Sequence, residues 1–251
     1  MHSNWSELAA SLAANLQLTQ PAIAVAFVKD PPASLAAYPG KVPAGCSFWQ
    51  KAAAGAFYTA PADHALCAVG SFTHNLPLSA AETGELQECL TIFDSLGYVQ
   101  PADVPMIPVL ERRPEYIVYA PLAETPVPPD VVLLFSDASQ ALFVSEAVQQ
   151  VEKQVPPAMG RPACAVVSQV ANTGKAALSL GCCGARAYVE TFAPSLVLSA
   201  LPGANLAAYV ERLEVLAAAN ATLRKFHERR ARQVAEGAAP TVQQTLVAIS
   251  R

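Results

Sequence analysis

The chain has 251 residues, room for one large domain or two small ones. Apolar residues make up 53% of it and charged residues 14%. The usual charged share is about 25%, so a large core is expected, and a homo-oligomer interface is a second use for so much apolar surface. A net charge of -4 gives neither nucleic acid nor an anionic membrane an electrostatic attraction, and neither is expected as a partner.

The opening stretch MHSNWSELAASLAANLQL lacks a basic segment ahead of an apolar run and is not expected to be a signal peptide. Trp5, Leu8, Leu12 and Leu16 recur at helical spacing, which predicts a helix over 3–16 capped by Ser3 or Asn4. The apolar run IAVAFV (23–28) predicts a strand. Helix 46–54, strand 56–59, helix 81–96 and strand 116–120 follow. The proline-rich PLAETPVPPD (121–130) predicts a stiff connection between two halves.

The second half reads as strand 131–135, helices 138–153 and 162–172, strand 175–180, helix 183–192, strand 196–201 and a long helix from 204 to 235. No apolar stretch is long enough to span a membrane. The class is therefore α/β or α+β, a mixed sheet covered by helices. A single domain over 1–237 is expected, with halves at about 1–121 and 130–237 and a mobile or partner-binding tail over 238–251.

The two halves share an order of landmarks. Pro43, Cys46, a helical run, Gly55, a strand and Cys67 in the first parallel Pro162, Cys164, a helical run, Gly174, a strand and Cys182 in the second. Two such units pack naturally about a pseudo-twofold axis. Proline near a helix start and glycine past its end place these four cysteines at or near helix N-termini. The unpaired N–H groups there lower a thiol's pKa and favour the thiolate, the form that binds metals. Meeting at the axis, four thiolates form the ligand set of an iron–sulfur cluster or a structural zinc.

Buried cysteine is equally a small apolar residue. No C-x-x-C knuckle is present to decide the matter. A cytoplasmic location, which these features point to, argues against a disulfide framework as the purpose of the six cysteines.

The stretches CSFWQKAAAGAFYTAPADHALCAVGSF, VVLLFSDASQAL and RPACAVVSQVANTGKAALSLGCCGAR resemble the DUF169 family over about residues 18 to 235. The resemblance brings no activity with it. It implies family cysteines at the positions of Cys46, Cys67, Cys164 and Cys182, with Cys183 commonly replaced and Cys89 outside the motifs. That favours four ligands over six. Cys183 is then expected to point away as a packed neighbour of Cys182, and Cys89 to sit in helix 81–96, where Leu86, Leu90 and Phe93 mark an apolar face. The glycines on both sides of Cys182 and Cys183 are expected to let the backbone approach the centre closely. Family members often come from organisms with anaerobic metabolism.

His64 and Cys67 suggest a thiolate–imidazole pair, though a loop histidine beside a capping Asp63 explains the pattern better. His64, Arg186 and Gly184 are the candidates to surround the ligands, Arg186 through its planar fork unless a carboxylate claims it. Ser47, Trp49 and Lys51 follow Cys46 and are candidates for the same cavity, Trp49 more naturally as core. Thr173-Gly174-Lys175 fails as a P-loop, because Gln169 stands where the first glycine belongs. The basic run Arg224, Lys225, His227, Arg229, Arg230 and Arg232 reads as a solvated helix face.

The expectation is a cytosolic protein holding a [4Fe–4S] cluster on Cys46, Cys67, Cys164 and Cys182. An enzyme of redox or sulfur chemistry, an electron carrier and a sensor all fit, with a redox partner or a small-molecule substrate. Zinc is less favoured, because its structural sites use close ligand pairs. The alternative is a metal-free ligand-binding or interaction protein with buried thiols.

Overall fold

The computed structural model describes residues 4–249. Helix α1 (Trp5–Leu16) opens with Asn4, whose side chain accepts the Glu7 N–H at 3.3 Å. Ser3, the other cap candidate, lies outside the described residues. The first half continues with β1 (Ile23–Val28), α2 (Ser47–Ala52), β2 (Phe57–Thr59), α3 (Ala68–Thr73), α4 (Ala80–Ser95) and β3 (Tyr116–Pro121). The second holds β4 (Val131–Ser136), α5 (Ala138–Glu152), β5 (Ala158–Met159), α6 (Ala165–Thr173), β6 (Ala177–Ser179), α7 (Cys183–Tyr188) and β7 (Val197–Pro202). The long α8 (Leu206–Ala235) and the short α9 (Val242–Ile249) end it.

The fold is α/β: one seven-stranded mixed sheet in the order β2-β3-β1-β4-β7-β6-β5 with helices on both faces. Every pairing is antiparallel except β5 with β6. Strand β1, and β4 up to its last residue Ser136, are apolar because both faces are covered. Alternate residues divide between the layers. Val25, Phe27, Leu133 and Phe135 join the core beneath α2 and α6, while Ala24, Val132 and Leu134 join that beneath α1, α5 and α8.

Outward from the β1–β4 pair the strands follow a similar order on both sides, except that β5 has no counterpart. Strand β3 lies between β1 and β2, and β7 lies between β4 and β6, all antiparallel. The β1–β4 pair, Ala24 opposite Val132, sits in the middle. The segment 121–130 carries the chain from β3, on one side of β1, to β4 on the other.

The C-terminal stretch departs from expectation. Residues 242–249 form α9 and fold back on α8, with Thr245 hydroxyl donating to the Gln233 side chain at 3.1 Å and Arg230 donating to the Pro240 carbonyl at 3.1 Å. The last two residues lie outside the described residues. Most of the basic run on α8 is exposed to solvent. Among the described residues no helix is long and apolar enough to cross a membrane.

Candidate functional site: a cavity walled by cysteines

Four helices begin immediately after a cysteine. Cys46 precedes α2, Cys67 precedes α3, Cys164 precedes α6 and Cys182 precedes α7. Each thiol thus sits where unpaired backbone N–H groups collect. The Ala185 N–H points to Cys182 Sγ at 3.5 Å, and the Thr73 hydroxyl donates to Cys164 Sγ at 3.2 Å.

These four cysteines line one cavity of about 230 Å³ on the α2–α6 face of the sheet. Cys89 and Cys183 line it too. Here the expected arrangement needs correction. Cys183 does not point away as a packed neighbour: it is exposed, and the Tyr98 hydroxyl donates to its sulfur at 3.1 Å. Cys89 does not retire into a core, because α4 buries no residue and turns its Cys89–Phe93 face towards the cavity. Leu66, Leu90, Val99 and Ile107 complete an apolar wall.

The thiols feel one another. Burial, followed by the nearby Cys67 and Cys182, pushes the Cys46 thiol up to about 12. Burial and then Cys67, Cys46 and Cys182 hold Cys164 well above the ordinary thiol range, against the lowering effect of the Thr73 hydrogen bond. The sequence argument expected helix N-termini to make these two thiols acidic. Burial wins over the helix ends, because a lone thiolate in an apolar wall loses its water. Cys46 and Cys164 are therefore neutral thiols at pH 7 unless a cation takes the proton's place.

Tyr119, on β3, belongs to the same core cluster as Cys46 and Cys164. Its hydroxyl is fully buried without a hydrogen-bond partner among the described residues. Burial raises its pKa well above the usual range, and the charges of Cys164, Cys46 and Cys67, were they ionised, push it further. Nothing in the sequence singled it out.

The remaining candidates divide. Gly184 lines the cavity. Arg186 does not; its guanidinium donates to the carbonyls of Ala193, Leu180 and Leu196 and stacks 4.5 Å from the Phe192 centroid. Among the described residues it meets no carboxylate, and it fastens the loops around α7. The φ of +82° at Gly181 and its missing Cβ make room for Arg186 and Phe192 rather than for a centre. The close approach falls at Gly70 instead, where a Cβ would lie 2.9 Å from Cys67 Sγ.

His64 is buried behind the wall. Its Nε2 pairs with Thr59 Oγ1 at 2.9 Å, and burial with His74 nearby lowers its pKa to about 3. It is a neutral core histidine and makes no hydrogen bond with Cys67. Ser47, Trp49 and Lys51 lie off the cavity, with Trp49 fully buried in the core.

A second cavity of about 330 Å³ adjoins the first and shares Tyr98, Val99, Ile107 and Arg161 with it.

The family model described as DUF169, uncharacterised ArCR, matches residues 11–212. The chain belongs to the DUF169 family. No curated protein and no solved structure matches it. All the cysteines of this DUF169 chain fall within the matched span, as do all seven strands. Among its described residues no three of His, Cys, Asp and Glu gather closely enough to hold a single metal ion.

Proposed function

We propose that this DUF169 protein holds a [4Fe–4S] cluster on Cys46, Cys67, Cys164 and Cys182 and works in redox or sulfur chemistry or electron transfer. The observation that carries this reading is the meeting of four helix-start cysteines on one cavity. In a cubane each thiolate binds a different iron, so the sulfurs belong around a space and not on one ion. Iron supplies the positive charge that two buried thiols lack, and displaces protons that burial otherwise holds in place. The orphaned Tyr119 hydroxyl gains an acceptor, and the absent Cβ at Gly70 leaves Cys67 room. The similar strand order on the two sides of the β1–β4 pair supports a duplicated unit in which Cys46 corresponds to Cys164 and Cys67 to Cys182.

The test is iron and acid-labile sulfide analysis of protein purified without oxygen. Equal amounts, about four of each per chain, with a brown colour that bleaches in air, are expected. Protein free of both after anaerobic reconstitution would refute the reading. The neutral thiols at Cys46 and Cys164 favour the second one, a metal-free apolar ligand pocket.

A further inference from the structure

The wall between the two cavities contains three side chains that cluster binding leaves without a task. The Arg161 guanidinium carbon lies 4.0 Å from the centroid of the Tyr98 ring. The Tyr98 hydroxyl donates to Cys183 Sγ at 3.1 Å and accepts the Cys183 backbone N–H at 3.4 Å, so the ring that Arg161 rests on is itself held. Stacking fixes the plane of a guanidinium and leaves its N–H edge open, the geometry that takes a carboxylate through two parallel bonds. Among the described residues Arg161 forms no ion pair.

The rest of the second cavity narrows the ligand. Val99, Met106, Ile107, Pro108 and Met159 are apolar, and Asp103 is the carboxylate among them. One cation beside an apolar wall suits an apolar body with a single negative charge. Asp103 disfavours a ligand with two. The volume of about 330 Å³ lies at the small end of the ligand-site range, about 300–1,000 Å³.

We propose that the second cavity binds a small monocarboxylate with an apolar body, its carboxylate on Arg161 and its body along Val99, Ile107 and Met159. The ligand then lies beside the wall formed by Tyr98 and Cys183, on whose far side the family cysteines stand. This deepens the cluster reading by giving it a substrate class, while binding itself depends on Arg161 and Tyr98.

Calorimetric titration of the full chain with hexanoate, hexanol and inorganic phosphate tests the proposal. Alkylation of Cys183 by iodoacetamide, followed by peptide mass mapping, runs alongside. Hexanoate should bind at least about tenfold more tightly than hexanol or phosphate, the scale of a hydrogen bond to a charged group, and should slow alkylation. Arg161→Met should lose about that factor for hexanoate and leave hexanol unchanged, with Arg161→Lys between. Hexanoate no better than hexanol, phosphate as tight as hexanoate, or full hexanoate affinity in folded Arg161→Met protein each overturns the proposal. Iron-free protein that still binds hexanoate upholds this site and counts only against the cluster. Iron-loaded protein that ignores hexanoate removes this site alone.

Discussion

The hydroxyl of Thr73 donates a hydrogen bond to the sulfur of Cys164 at 3.2 Å. Ser168 returns its hydroxyl to the Thr73 carbonyl at 2.7 Å. The end of α3 is thereby tied to the start of α6, and the first half of the chain holds a ligand candidate of the second. Thr73→Val keeps the shape and removes the donor. In iron-free protein it should cost about 1 kcal/mol, read by urea unfolding. In iron-loaded protein it should move the midpoint potential to more negative values, because a donor to a ligand sulfur favours the reduced, more negative centre. A potential identical to wild type would detach Thr73 from any centre.

Tyr119 should respond with opposite signs in the two states. Its buried hydroxyl has no partner among the described residues, so Tyr119→Phe removes an uncompensated desolvation cost of about 1–3 kcal/mol. Iron-free Tyr119→Phe protein should melt at the wild-type temperature or above it. Once cluster sulfur is there to accept its hydrogen bond, the same change should speed iron loss to a chelator. Equal iron loss from both proteins would mean that the hydroxyl does not reach the centre.

Most of the sheet and three of the four helix starts were legible in the sequence for different reasons. Runs such as IAVAFV and VVLLF are apolar on both alternating faces, which only a doubly covered strand tolerates. Proline and glycine around Cys164 and Gly174 mark α6 directly, and Gly174 takes the left-handed conformation, φ +63°, that ends it. Helix α3 left no such mark. It has six residues, among them Val69, Gly70 and Thr73, and contacts with α4 and α6 hold it. Helix α9 escaped because eight residues are too few to hold a helix by themselves, and its support comes from α8.

The positions of Cys89 and Cys183 needed the third dimension. Periodicity finds the apolar side of α4 but not the neighbour it faces. The helix-end effect on thiols can be read from order along the chain. Burial, the stronger effect at Cys46 and Cys164, cannot.

His74 provides a test of stability against pH. Both ring nitrogens are buried without a partner among the described residues, and the ring packs edge-on to Phe27 with centroids 5.6 Å apart. Burial lowers its pKa from the ordinary 6.5 to about 4, and that of His64 to about 3. Between these values and 6.5 the unfolded chain binds more protons than the folded one. Stability therefore falls as pH drops through that window and is fully present only above it, a loss on the order of a few kcal/mol. His74→Phe should flatten the decline between pH 6.5 and 4 and raise the melting temperature at pH 5, leaving the share due to His64. Melting curves across that range decide it; an unchanged slope would mean that His74 is not held neutral.

Six cysteines wall one cavity, and their surroundings separate four from two. Cys46, Cys67, Cys164 and Cys182 each precede a helix, and Cys46 and Cys164 both feel Cys67 and Cys182. Cys89 lies inside α4 rather than at a helix start, so the unpaired N–H groups that the other four thiols meet are not available to its sulfur. Cys183 is occupied by Tyr98. Cys182→Ala should therefore lose iron and sulfide while the protein remains folded, since the half-buried residue 182 leaves only a small gap. Cys89→Ala should keep both at wild-type stoichiometry. Circular dichroism on the same samples establishes folding. Full iron in Cys182→Ala, or loss of iron in folded Cys89→Ala, would show that the ligand set is drawn from the wrong four.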